Sequence, residues 1–429
     1  MNSINPKILI ISEFFEAGDA VTTLSLFSRW DKNNLFCASR ELNNHSSSFC
    51  SSYTLGKKEI KYIFPINIIK RIPNGGVLKE VSSTKENRII NRRYFDTIIE
   101  SILKFLGIIQ YVYKFKISDD FDRWIERIRP DYIYTAICSI YMARFIKLLM
   151  IKYPNIKFII HNYDDWTEPP YFSINKLAKQ ESRRLLKYIV SKSEICLAIS
   201  EYMSREYSNK YGKPFCTFTN SVPKINLPAI EANKRDGYKI TYIGKIQGHN
   251  FSTILNTAKA IEYVNSIKGK DYNIKFEIYS NINIEQTNTI MSACNSCNII
   301  SWINHNEIIN VLSKSDILLL PISFDKSVVK YVKYSMSTKI AEYLSVAIPI
   351  LYIGPENIAM TNFFVKNGCA MVLNDGNSHC ISNAIIKLLE DKSYTDKLVS
   401  NANKAFNEQF DQNRISNEFY RIIFENFSK

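Results

Sequence analysis

The sequence predicts an α/β protein of two doubly wound domains, each built on a mainly parallel sheet. Three observations carry that reading. The run from Ile317 to Leu320 is apolar without alternation, as a strand buried on both faces must be, and such strands belong to parallel sheets. A polar loop follows, then a helix-like stretch, then a second unbroken apolar run from Ile348 to Ile353, which together make a βαβ unit. Finally, 429 residues exceed what one ordinary core holds, so two domains are expected.

The elements follow in order. Lys7 to Ser12 reads as the opening core strand and Ala20 to Phe27 as the start of a helix. The turn between them holds one glycine, Gly18, which either lets the loop approach a substrate or simply closes a plain βα turn. Asp119 to Arg129 is an amphipathic helix with Phe121, Trp124, Ile125 and Ile128 on one stripe, and a strand starts at Pro130. Lys157 to Ile160 is a buried strand ending in His161, Asn162, Tyr163, Asp164, Asp165 and Trp166. Glu194 to Ile199 is a strand and Glu201 to Asn209 a helix. Between Pro223 and Gly237 the chain is a run of breakers and charges without period, as a linker should be. A strand restarts at Tyr238, helix and strand patterns alternate through Leu389, and Asp391 to Ser428 is helical. Domains are therefore expected at 1–225 and 226–405, with a terminal helix at 406–429.

Bulk properties narrow the function. No run of about 18 apolar residues exists to span a bilayer, and the start of the chain lacks the charge and apolar length of a secretion signal. Nine cysteines without framework spacing fit a reduced, cytoplasmic protein. Cys294 and Cys297 are the only close pair, and His305 gives a poor spacing for a four-ligand zinc site, so no metal is expected. The charge is uneven: residues 1–225 carry 34 basic against 22 acidic side chains, and 57–116 alone carry 13 against 5. Aliphatic and aromatic residues interleave there, which suits an anionic membrane surface or a merely solvated basic face. Nucleic acid is not expected, since no recognition motif accompanies the charge.

The chemistry points to the segment after Leu320. A helix opening with Ser335, Ser337 and Thr338 as cap candidates starts at the carboxyl ends of buried strands, where open α/β sheets bind ligands. Exposed N–H groups and the positive helix end suit a phosphate there. Glu342, one turn beyond Thr338, is placed to accept from a sugar hydroxyl beside that phosphate. Lys339 in the first turn opposes the helix dipole unless an anion joins it. The segment reads as a nucleotide-sugar site.

The stretch Ser335-Met-Ser-Thr-Lys-Ile-Ala-Glu-Tyr-Leu344, following an Asp-Ile-Leu-Leu-Leu-Pro strand, resembles the donor-binding segment of retaining glycosyltransferases of GT-B architecture. Thr219-Asn-Ser-Val-Pro223 is similar to the end of the first domain in that family, and Ile240-Thr-Tyr-Ile-Gly-Lys245 to the start of the second. The resemblance implies two Rossmann-like domains facing across a cleft, a final helix crossing back to the first, and a nucleotide-diphosphate sugar as donor with no metal or other cofactor. It implies that Lys245 stabilises charge on the leaving phosphate, and that Glu342 binds ribose. It suggests a lipid-linked or growing bacterial surface glycan as acceptor, reached at the inner membrane face. His249 is a further diphosphate candidate, and His161 with Asp164 or Asp165 are candidates beside the transferred sugar or acceptor. Relatives often carry a second glutamate where this chain has Tyr334, which leaves donor contacts to Ser335, Ser337 and Thr338. Two other readings stay open: a sugar-nucleotide 2-epimerase of the same fold, which needs carboxylate acid/base groups, and a non-catalytic transferase partner.

Overall fold

The computed structural model describes residues 5–15, 19–42, 50–62, 74–77, 111–168, 175–225, 237–246, 248, 250–269, 272–281 and 284–427. They divide into two compact units: residues 1–219 with 416–429, and residues 220–415.

In the first unit an eight-stranded sheet has the order β10-β9-β8-β7-β1-β2-β3-β5. Its strands are β1 (Ile8–Phe15), β2 (Leu35–Leu42), β3 (Ser51–Thr54), β5 (Gly76–Val77), β7 (Tyr132–Ala136), β8 (Lys157–Asn162), β9 (Ile195–Ala198) and β10 (Phe215–Thr217). All neighbours are parallel except β3 with β5. A separate antiparallel pair joins β4 (Ile60–Tyr62) to β6 (Tyr113–Phe115). The helices are α1 (Asp19–Leu26), α2 (Asp119–Ile128), α3 (Ile140–Lys152), α4 (Lys176–Lys192) and α5 (Glu201–Tyr211). Because β7 and β2 lie on opposite sides of β1, the order reverses at β1/β7. The local rules are plain in α2. Ser118 accepts from the N–H of Phe121, the stripe of Phe121, Trp124, Ile125 and Ile128 is buried, and Arg129 ends the helix at φ 50° before Pro130.

In the second unit six parallel strands run in the order β13-β12-β11-β14-β15-β16, which reverses between β11 and β14. They are β11 (Lys239–Ile243), β12 (Lys275–Tyr279), β13 (Cys297–Ile300), β14 (Ile317–Pro321), β15 (Ile350–Ile353) and β16 (Met371–Leu373). The helices are α6 (Phe251–Lys268), α7 (Ile284–Ala293), α8 (His305–Leu312), α9 (Lys326–Val332), α10 (Lys339–Ser345), α11 (Ala359–Asn367), α12 (Ser378–Glu390) and α13 (Lys392–Gln409); the last helix, α14 (Gln412–Phe427), starts here and belongs to the first unit from Ser416 onward. One apolar layer packs α10 and α13 on β14 and β15; the other packs α6 and α12 on β11, β12 and the opposite sheet face.

Three features differ from expectation. The polar loop after β14 contains the short helix α9, nucleated by Asp325, whose carboxylate accepts from the Ser327 N–H, and anchored by buried Val332. The C-terminal helical segment breaks at Phe410 and Asp411, where Val222 inserts: its N–H donates to the Phe410 carbonyl and its carbonyl accepts from Gln412. Residues 220–225 consequently belong with the second unit, so the chain crosses between units ahead of the breaker run, most of which lies outside the described residues. From Ser416 onward α14 is part of the first unit's own core. Phe419 makes edge contacts with Phe27, Tyr134 and Phe218 at 5.0, 6.2 and 5.4 Å between ring centroids, and Tyr420 packs on Trp30 at 5.1 Å. Among the described residues no helix is long and apolar enough to cross a membrane, and no group of three or more potential metal-ligating side chains occurs. Cys294 and Cys297 are buried, and burial raises both thiols, Cys297 to about 12.

Candidate functional site

In the second unit the site forms where the strand order reverses. β11 ends in Tyr242, Ile243 and Gly244, and Gly244 turns the chain at φ +148°, its N–H donating to the Tyr279 carbonyl at 3.0 Å. The turn is tied down behind: the Tyr242 hydroxyl donates to the Lys245 carbonyl at 2.9 Å, and Asn250 donates both to that carbonyl and to the Tyr242 oxygen. Lys245 is left exposed at the apex.

α10 comes to the same place from β14. Tyr343 fixes it to both strands of the switch point, its hydroxyl accepting from the Ile243 N–H at 3.4 Å and donating to the Leu319 carbonyl at 3.3 Å. Thr338 stands at the N-cap with helical φ and ψ of −58° and −28°, so its hydroxyl cannot cap and makes no cap bond. Its carbonyl instead accepts from buried Asn220 at 3.1 Å. Ser335 and Ser337 lie in the preceding loop, where the Ser337 carbonyl accepts from Ile340.

Lys339 folds back from α10 across the turn. Its ammonium lies over the Tyr242 ring, 5.2 Å from the centroid. A side chain at position 244 would collide with the Lys339 terminus, so only glycine leaves room for it. Burial pushes the Lys339 ammonium down to about 8, partly opposed by half-buried Glu342 one turn along. Among the described residues the Lys339 ammonium rests on the Tyr242 face, and no carboxylate or carbonyl accepts from it. Lys245 on the turn and Lys339 laid across it thus come from elements nearly a hundred residues apart, with Glu342 near enough to Lys339 to act on its charge.

The other candidates fall elsewhere. His161 and Asp164 belong to the first unit, at the carboxyl end of β8. His161 is fully buried with both ring nitrogens engaged, Nδ1 with the Tyr134 hydroxyl at 2.8 Å and Nε2 with the Phe218 carbonyl at 2.9 Å. A carbonyl only accepts, so Nε2 carries the proton and Nδ1 accepts from Tyr134. Tyr134 in turn accepts from Tyr163 at 3.0 Å, and Tyr163 from Thr23 at 3.1 Å. Burial drives the His161 imidazole down to about 3. The expectation that His161 touches substrate is corrected: it is a neutral core residue that holds Phe218. Asp165 is buried and closes a turn onto Thr167, accepting from its N–H at 3.3 Å and its hydroxyl at 2.6 Å, while Asp164 is half-buried beside it. Gly18 and His249 lie outside the described residues. Asn220, Tyr242 and Tyr343 are the parts to which sequence reasoning assigned no role. Only their place inside the quoted motifs could have flagged them.

No protein-family model and no curated protein matches the sequence. Solved structures do. A glycosyltransferase from Rickettsia africae ESF-5 superposes with a TM-score of 0.61 at 13% identity, covering 99% of each chain. The fold is GT-B. The Anabaena protein Alr3699/HepE, solved with UDP and glucose, matches at TM-score 0.63 and 10% identity over 97% of this chain and 99% of that one. A candidate UDP-N-acetylglucosamine 2-epimerase from Listeria monocytogenes matches at 0.56 and 11% identity, covering 98% and 97%. At such identities the likeness establishes architecture, which extends through both units.

Proposed function

We propose that the chain is a glycosyltransferase that takes a sugar from a nucleotide-diphosphate donor, with retention, and passes it to a lipid-linked or growing bacterial surface glycan. The observation that carries the donor reading is Lys339: a sheltered ammonium laid across a glycine turn beside Lys245. A diphosphate there would meet both cations, and the charge that develops on it as the sugar leaves would be stabilised. Glu342 would accept from ribose hydroxyls, with Ser335, Ser337 and Thr338 near the phosphate or sugar. Asp164 is the remaining carboxylate candidate for the acceptor side, and the leaving phosphate itself is the proposed base. Solved structures of the same fold, holding UDP and glucose or named as glycosyltransferases, support this reading. The test is thermal stabilisation by UDP, GDP, ADP, CMP and their sugars. Stabilisation by at least one nucleoside diphosphate is expected, and none in a folded sample refutes the proposal.

The epimerase reading rests on the Listeria neighbour. NMR of UDP-N-acetylhexosamine incubated without acceptor separates the two, since an epimer appearing without transfer favours epimerisation. For location we infer the cytoplasm and the inner membrane face, supported by the basic excess of residues 1–225. Binding to anionic liposomes that falls with salt, and drops on replacing Lys70, Arg71, Arg92 and Arg93 with glutamine, is the expected result. Equal binding to neutral vesicles excludes it. Those four positions lie outside the described residues.

A further inference from the structure

The first unit concentrates positive charge on two helices that the candidate site does not use. α3 and α4 together hold nine lysines and arginines against one carboxylate, Glu181, whereas the whole chain holds 55 against 41. The two helices lie side by side. Arg144 pairs with Glu181 at 2.6 Å, and the Lys147 ammonium lies over the Tyr188 ring, 4.8 Å from its centroid. Their outer faces therefore meet along a closed seam.

Helical spacing sorts the remaining side chains. In α4 the buried stripe is Ala178, Ser182, Leu185, Leu186, Ile189 and Val190, which turns Lys176, Leu177, Arg184 and Lys187 outward. In α3 the residues left outside the buried stripe include Leu148 and Ile151. Leu177 is 76% exposed and Ile151 60%, so aliphatic groups stand among the cations rather than beneath them. Carboxylates trim only the edges. Glu168 holds Lys179 and Arg183 on the flank of α4 away from α3, and Asp122 holds Lys152 at the end of α3. Lys147, Lys176, Arg184, Lys187 and Lys192 make no ion pair among the described residues.

A partner for this face has to neutralise five cations and also cover exposed leucine and isoleucine. A nucleic-acid backbone meets the first need and not the second. A bilayer interface meets both, with anionic headgroups for the cations and the acyl boundary for the aliphatic groups.

We propose that the outer faces of α3 and α4 form the surface on which the first unit docks to an anionic lipid bilayer, which deepens the inner-membrane location inferred above and rests on it. The cations govern the approach and are screened by salt. Leu148, Ile151 and Leu177 enter the headgroup boundary and contribute a part that salt leaves alone.

The experiment is flotation of the full chain with vesicles of phosphatidylcholine, alone or with a quarter phosphatidylglycerol, at low and high salt. It is run on wild type, on Lys147→Gln, Arg184→Gln and Lys187→Gln combined, and on Ile151→Gln and Leu177→Gln combined. Binding of a single-stranded oligonucleotide is measured on the same samples. All three proteins should melt alike, since none of the substituted side chains is buried. Wild type should bind the anionic vesicles. At about fivefold per basic side chain, the triple variant should bind them about 100-fold more weakly. The double variant should lose about tenfold, and its remaining binding should vanish at high salt. Wild type that floats while the triple variant floats equally well overturns this face and leaves the membrane location standing. No flotation by wild type overturns both. Binding unchanged in the double variant, or an oligonucleotide bound more tightly than the vesicles, overturns the assignment of the face to lipid.

Discussion

Replacing Lys339 with methionine should make the empty protein more stable and a worse binder of nucleotide. The ammonium is held down from its ordinary 10.5 to about 8 because water is largely excluded around it. A fall from 10.5 to about 8 corresponds to about 3 kcal/mol. The partial exposure of the side chain scales it to roughly 1–3 kcal/mol. Methionine keeps the stem over Tyr242 without the charge. Urea denaturation at pH 7 should therefore show Lys339→Met more stable by that amount. The sign follows from proton binding: between pH 8 and 10.5 the folded chain holds fewer protons at this position than the unfolded one. Wild-type stability should gain on the variant's as pH rises from about 8 to 10.5; the penalty is complete below 8 and gone above 10.5. A charge-assisted bond to phosphate is worth about 1.5–3 kcal/mol. Calorimetry with the best-binding of UDP, GDP and ADP should accordingly show about 10- to 100-fold weaker binding. A variant that is less stable when empty, or that binds nucleotide as wild type does, refutes the reasoning.

Three further outcomes can be checked. Gly244→Ala forces a side chain into the space of the Lys339 terminus at a backbone angle suited to glycine. It should cost about 1–3 kcal/mol of stability and weaken nucleotide binding, both readable by thermal shift. Ala347→Gly should have the opposite effect on stability. Ala347 sits exposed at φ 54° between α10 and β15. Relief of left-handed strain of about 1–2 kcal/mol, less the extra unfolded-state entropy of glycine, leaves a net gain of roughly 0.5–1 kcal/mol in denaturant titration. His161, lowered to about 3, should show no imidazole titration by NMR between pH 5 and 8. Its neutral burial should make the first unit lose stability as pH falls from about 6.5 toward 3, because the unfolded chain takes up the proton first.

Much of the architecture was legible because it is written in short-range pattern. The stripe of Phe121, Trp124, Ile125 and Ile128 fixes one helix, and the unbroken run from Ile317 marks a strand covered on both faces. What the pattern cannot express is interruption from a distance. The one local signal there is Asp411, whose carboxylate caps α14 by accepting from the Arg414 N–H at 2.9 Å; the break is completed by Val222, whose backbone takes hydrogen bonds that a continuous helix would use. α9 was hidden for the converse reason, since seven residues with three valines carry too little periodicity to outweigh a loop reading. The site divides in the same way. Lys339 and Glu342 stand out by spacing, yet the return of Lys339 over Gly244 depends on Tyr343 joining α10 to β11 across a hundred positions. His161 looked like a ligand contact because it ends a strand. Its partners, Tyr134 and the Phe218 carbonyl, lie 27 and 57 residues away.

The division of the chain also sets an order of events during synthesis. Residues 416–429 belong to the first unit but leave the ribosome after the whole of the second. Until they do, the aromatic surface formed by Phe27, Tyr134 and Phe218 lacks Phe419, and Trp30 lacks Tyr420. At about 5–20 residues per second, the 196 residues of the second unit occupy the ribosome for some 10–40 s in the meantime. The first unit must wait through that interval with an apolar face uncovered, while the second can close on its own contiguous sequence as soon as residue 415 is free of the tunnel. A nascent chain arrested before Phe419 should therefore be held by chaperones through its oldest part, and a stop codon between residues 415 and 419 would damage the half of the protein made first.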